Sequence, residues 1–152
     1  MKNRLLSGVA VLLVASASVF AAETAKVDLE GVKCAVADKD ATADKSADYK
    51  EGKVFFCCNG CAGKFAKTPE KFATQANRQL VQTHQYEQKG CPISGGKINP
   101  ETMIKVDGTK VAFCCKNCKA KVEGAEKKEA SELVFGEKAF AKGFKKAEKK
   151  EG

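Results

Sequence analysis

Val54-Phe55-Phe56-Cys57-Cys58-Asn59-Gly60-Cys61-Ala62-Gly63-Lys64-Phe65 is an apolar run that breaks into two adjacent cysteines, a turn pair and a third cysteine. An offset of 57 residues carries it, without a gap, onto Val111-Ala112-Phe113-Cys114-Cys115-Lys116-Asn117-Cys118, with Lys53 over Lys110 and Lys64 over Lys121. A lone cysteine stands upstream at the same distance in both copies: 22 residues separate Cys34 from Cys57, and 22 separate Cys91 from Cys114. These two sets take up all eight cysteines of the 152-residue chain. The pattern reads as an internal duplication, and it predicts sulfur chemistry carried out twice.

Upstream of the second doublet, Met103-Ile104-Lys105-Val106 and Thr109-Lys110-Val111-Ala112-Phe113 favour strands and meet at Asp107-Gly108, a strong hairpin signal. The first copy has the same plan with a looser turn, Tyr49-Lys50-Glu51-Gly52-Lys53. Downstream, Asn59-Gly60 and Lys116-Asn117 are turn formers, after which the chain becomes helical in character. Each cysteine cluster is therefore expected where a strand turns into a helix. Thr68-Pro69 reads as an N-cap followed by proline at the first helical position. It predicts a helix over residues 69–88, ended by Gly90, that bridges the repeats with Phe72, Ala76, Leu80 and His84 as its stripe. The lone His84 reads as a packing residue. Residues 121–150 are helix-prone, with Leu133, Val134, Phe135, Phe140 and Phe144 as buried candidates and Gly136 as a break. Residues 38–46 read as an exposed loop. Phe55, Phe56, Phe65, Phe72 and Phe113 read as core.

The first residues have the form of an export signal: Lys2 and Arg4, an apolar stretch over residues 5–20, and small residues around Ala21. The expected division is a signal peptide at 1–22, a first cysteine unit at 23–68, a connecting helix at 69–89, a second cysteine unit at 90–123 and a helical basic tail at 124–152. The fold class is α+β, two tandem small units of a hairpin and a helix joined by a long helix. The expected location is periplasmic or secreted, with no transmembrane span in the mature chain. The formal charge of +8 is concentrated in lysines near the C-terminus. No base-stacking aromatics are interleaved with them, so the tail reads as a solvated face and nucleic acid is not an expected partner.

Three kinds of chemistry suit such cysteines. Oxidising compartments favour disulfides, and an even count permits a stapled structural or interaction module. Cys58-Asn59-Gly60-Cys61 and Cys115-Lys116-Asn117-Cys118 have the spacing of a thiol–disulfide oxidoreductase, but the βαβ pattern and proline context of such enzymes are absent. No Ser-His-Asp set, paired-carboxylate signature or phosphate loop is present either, so an enzyme is not expected. Metal binding is the third. Turn and helix N–H groups at a strand-to-helix junction stabilise thiolate, and a hairpin brings the upstream cysteine back to close the site. Neighbouring residues of an extended segment point to opposite faces, so one of each doublet is a spare or a fourth ligand. The candidate ligands are Cys34, Cys57, Cys58 and Cys61, and Cys91, Cys114, Cys115 and Cys118. By softness, a three-sulfur site with an open position suits Cu(I) or exchangeable Zn(II), one ion per repeat.

The stretches around Cys57–Cys61 and Cys114–Cys118, with Pro69-Glu70-Lys71-Phe72, resemble the YHS and TRASH domains. Those are small treble-clef-like modules linked to heavy-metal trafficking, resistance and sensing. The resemblance implies ligands at Cys34, Cys57 and Cys61, and at Cys91, Cys114 and Cys118, and it makes a metal-transfer protein a fitting partner. In many such domains the upstream ligand stands three places later, where this chain has Ala37 and Ser94. Past Cys118 the Pro-Glu-Lys-Phe motif has no counterpart.

Overall fold

The computed structural model describes residues 27–148; the expected signal at 1–22 lies outside them. The fold is α+β. In chain order it runs β1 (Thr42–Tyr49), β2 (Gly52–Phe56), α1 (Asn59–Lys67), a 3-10 turn (Pro69–Phe72), α2 (Ala73–Gln82), β3 (Tyr86–Gln88), β4 (Asn99–Val106), β5 (Thr109–Phe113), α3 (Lys116–Glu123), α4 (Lys127–Phe135), α5 (Glu137–Gly143) and β6 (Phe144–Lys146). The pairs β1–β2 and β4–β5 are antiparallel hairpins, each with a register shift near its open end, between Thr42 and Ser46 and between Asn99 and Ile104. At the second tip Asp107 and Gly108 both have positive φ, 45° and 80°, as a two-residue hairpin turn requires.

Both halves feed one core. Val54, Phe56, Phe65 and Leu80 of the first half share a buried cluster with Val111, Phe113, Phe135, Phe140 and Phe144 of the second, and Cys34 and Cys91 lie in its wall. Burying each such side chain contributes about 1.5–3 kcal/mol. Phe72 is only partly buried against this cluster, and Phe55 belongs to a smaller one with Val32 and Ala41. The hairpin tips cross over reciprocally. Lys50 on the first tip reaches Glu137 of α5 at 2.9 Å, while Asp107 on the second reaches Arg78 of α2 at 2.8 Å. The last elements of the halves also join, as β3 pairs with β6 in antiparallel register, Glu87 opposite Lys145.

Three expected elements differ. The connecting helix is shorter than residues 69–88: Pro69 opens only a 3-10 turn, and α2 stops at Gln82. Its stop is a left-handed cap. His84 has φ 56°, its N–H donates to Val81 O at 3.1 Å, and the Gln85 N–H donates to Leu80 O at 2.9 Å. His84 is therefore exposed rather than packed, whereas Ala76 and Leu80 are fully buried. The loop expected over residues 38–46 gives way from Thr42 to β1, whose outer residues are polar because one face meets solvent. The tail forms two helices broken at Gly136 and then the strand β6, rather than one helical run. Val134, Phe135, Phe140 and Phe144 are buried there, with Leu133 partly so.

Candidate metal centres

Each cluster is assembled from a knuckle and a strand end. In the first half the Cys34 N–H donates to Lys39 O at 2.8 Å and the Ala41 N–H to Val32 O at 2.9 Å, which folds residues 32–41 into a tight loop beside β2. In the second, the Cys91 N–H donates to Gly96 O at 2.8 Å and the Gly95 N–H to Cys91 O at 2.7 Å. Gly143 seats this knuckle: its carbonyl accepts from Lys89 and Gly90, and a Cβ there would stand 3.0 Å from Pro92 Cα. Opposite each knuckle the strand runs out through an extended doublet. Cys58 and Cys115, with φ near −160°, are the N-cap residues of α1 and α3. Extended backbone sends adjacent side chains to opposite sides. Cys57 and Cys114 thus face the knuckle cysteine, while Cys58 and Cys115 are exposed.

The result is two groups of three, Cys34–Cys57–Cys61 and Cys91–Cys114–Cys118, in which all sulfur atoms lie within 4.8 Å of one another. Cys57 Sγ and Cys61 Sγ are 3.7 Å apart, and Cys114 Sγ and Cys118 Sγ are 3.6 Å apart. Thiolates bound at ~2.3 Å to one tetrahedral ion lie about 3.8 Å from each other. The spacing is therefore that of a shared ion, and each group can bind one. No disulfide joins any two of the eight cysteines in this structure. Cys58 and Cys115 stay outside the groups of three but beside two members of each: Cys58 lies 3.9 Å from Cys57 and also meets Cys61, and Cys115 lies 3.7 Å from Cys114 and also meets Cys118.

Electrostatics separates the sulfurs by role. Burial works against ionisation of Cys34, but N–H groups of Val36, Cys57 and Ala37 outweigh it and hold the thiol below its ordinary value. Cys91 is likewise opposed by burial, yet the Ser94 hydroxyl and N–H groups of Ser94, Cys114 and Ile93 bring it down to about 7. Cys61 and Cys118 are pushed up to about 12, first by burial and then by the neighbouring sulfurs. Three sulfurs so close cannot all carry charge without a cation among them, and a bound cation reverses that penalty. Cys58 and Cys115 are lowered, chiefly by the N–H groups of Cys61 and Cys118 at the helix starts.

The two centres are not identical. Ser94 Oγ lies 3.2 Å from Cys114 Sγ and accepts from the Gly96 N–H at 3.2 Å; the equivalent position in the first half is Ala37. Two supporting residues escaped the sequence reading. The Gln79 side chain brackets the Phe55 backbone, accepting from its N–H at 2.5 Å and donating to its carbonyl at 2.9 Å. Gln88 does the same to Ala112, at 2.9 and 2.6 Å. Phe55 and Ala112 each stand two residues before a ligand cysteine, so these amides hold the strand ends in place. No local signal marked either one: Gln79 lies one residue off the Ala76–Leu80 stripe beside the equally buried polar Asn77, and Gln88 ends the short β3. His84, the lone histidine, joins neither group.

No protein-family model, no curated protein and no solved structure matches this chain. Among the described residues no helix is long and apolar enough to cross a membrane.

Proposed function

We propose that this chain is an exported, non-enzymatic heavy-metal-binding protein of YHS/TRASH-like type. It carries one thiophilic ion, Zn(II) or Cu(I), in each half and serves metal trafficking, buffering or resistance in the periplasm or outside the cell. The observation that supports this best is the repeated convergence of three sulfurs at the spacing one ion imposes. Disulfide pairing accounts for it less well, because a bond joins two sulfurs and would draw one member of each group of three onto the exposed Cys58 or Cys115, whereas one ion engages all three at once. Three thiolates leave a fourth position open, as a carrier that must release its cargo requires. A metal-transfer protein with its own thiolates is the fitting partner. The test is to purify the protein from its own compartment, measure bound metal by native mass spectrometry and count free thiols on the same sample. Two ions with reduced cysteines are expected; four disulfides and no ion would make it a stapled scaffold.

A further inference from the structure

We infer that Cys58 and Cys115 are the exchange ligands of the two centres, drawing each ion from a buried three-sulfur set to a surface one. The inference rests on the metal binding proposed above and goes beyond it by assigning a path for the ion. Each half offers two overlapping sets. Cys34 and Cys91 are 3% and 0% exposed, so the resting set of knuckle cysteine plus the inner pair is closed from below. Cys58 and Cys115 stand on the solvent side. Their sulfurs lie 3.9 Å from Cys57 Sγ and 3.7 Å from Cys114 Sγ, close to the ~3.8 Å separation that two thiolates adopt on one ion. Cys58 also meets Cys61 through its sulfur and the Cys61 N–H, as Cys115 meets Cys118, so Cys57 and Cys61 serve both the buried set with Cys34 and a surface set with Cys58, and Cys114 and Cys118 do the same with Cys91 and Cys115. The doublet is what makes the overlap, since a single cysteine there would supply only the inner face.

The step is a ligand exchange with no change in oxidation state. A sulfur–metal bond forms to Cys58 as the bond to Cys34 breaks, and Cys34 takes up the proton that Cys58 gives up. The ion keeps its coordination number and now faces solvent, where an acceptor thiolate completes the transfer. The second half works in the same way through Cys115 and Cys91.

The test uses the purified chain loaded with Zn(II) and mixed with excess of a soluble dithiol chelator, the zinc leaving being followed by stopped flow and the zinc retained by native mass spectrometry. Serine is a better helix N-cap than cysteine, so Cys58→Ser with Cys115→Ser is expected to fold, bind two ions and release them about tenfold more slowly. Each single variant is expected to slow one half of the zinc only. Cys34→Ser with Cys91→Ser, which leaves the surface sets, is expected to bind more weakly and release faster. Unchanged or faster release from the Cys58/Cys115 variant overturns the inference, as does loss of its zinc with the fold intact, which would make these residues permanent ligands. A wild-type chain that takes up neither Zn(II) nor Cu(I) removes the proposed function itself, and the exchange path with it.

Discussion

Ser94 is the residue at which the two halves part company. Its hydroxyl has one proton to give, and with the Gly96 N–H already directed at its oxygen, that proton is free to point at the sulfurs of Cys91 and Cys114. A hydrogen bond to a charged group contributes about 1.5–3 kcal/mol when shielded, and less at an exposed position such as this. Ser94→Ala is therefore expected to weaken zinc binding at the second centre by roughly 1 kcal/mol, about fivefold in Kd, and leave the first centre unchanged, as read by competition with a chromophoric chelator. The pH dependence carries the same sign. A thiol held down near 7, below its ordinary 9.0, keeps its contribution above the ordinary value and loses it as pH falls through the lower one. Without the hydroxyl Cys91 moves back up, and acid should strip the second ion at a higher pH than in wild type. Equal acid release from both proteins would rule the hydroxyl out. At this scale the spacing of the cysteines announced that distant sulfurs converge, and strand alternation announced that each doublet splits. The four-residue spacing of Cys57 and Cys61 pointed to Cys57 as the inward member, and it does face Cys34; the place of the loop of residues 32–41 against β2, which seats Cys34 there, is a tertiary fact that no local pattern carries.

Among the elements, the strands that deliver the cysteines are held by side-chain amides rather than by further strands. Gln79 is 1% exposed, so replacing it with alanine takes the side-chain partner from the Phe55 N–H and the Lys33 carbonyl and leaves the Phe55 carbonyl only the long bond from the Ala35 N–H at 3.5 Å. A buried unsatisfied polar group costs about 1–3 kcal/mol, and Gln79→Ala should lose roughly 2–4 kcal/mol in urea unfolding. Gln88→Ala, at a half-buried site, should lose less. Native mass spectra should show the first centre emptied preferentially by the Gln79 variant and the second by the Gln88 variant; equal occupancy in both would sever the amides from the metal sites. The hairpin tips give a prediction of their own. Asp107 is a tenth exposed. Burial opposes its ionisation, but Ser131, Arg78 and Lys127 outweigh it and lower its pKa. Its stabilisation is thus present above its ordinary value of 3.8 and lost as pH falls through the depressed one. Asparagine tolerates the positive φ, so Asp107→Asn should cost about 1–3 kcal/mol near neutral pH. The gap from wild type should close below about pH 4, as thermal melts across pH would show. The hairpins and the Gly136 break were legible because their signals are local. The end of α2 was not: its cap uses His84 where glycine is usual, and the stop is reinforced when the Gln85 amide brackets the Lys53 backbone at 2.6 and 2.7 Å.

Across the whole molecule, duplication in sequence has not produced two independent bodies. Each half sends its hairpin tip onto a helix of the other, β3 and β6 form one ladder across the halves, and Phe56 and Leu80 share their apolar cluster with Phe113, Phe135 and Phe144. The repeat period predicted two tandem units and left open whether they form one domain or two; what it hid was that the buried faces of the helices after each cluster complete a core common to both. With an ion in each candidate centre, this arrangement would couple the two through stability. An ion that binds only the folded chain stabilises it by about 4 kcal/mol when free metal is 1,000 times Kd, and with one core that contribution is felt by both halves. Cys61→Ser disables the first centre while leaving every ligand of the second in place. In excess zinc it should melt in one calorimetric transition at a temperature below wild type, with hydrogen exchange accelerated in β5 and α4 as well as in β2 and α1. Two resolved transitions, the later one at the wild-type temperature, would mean that the halves unfold separately and that the shared cluster is too weak to bind them. A single lowered transition requires the opposite: a cation held at one strand end governs the folding of the sheet and helices around the other.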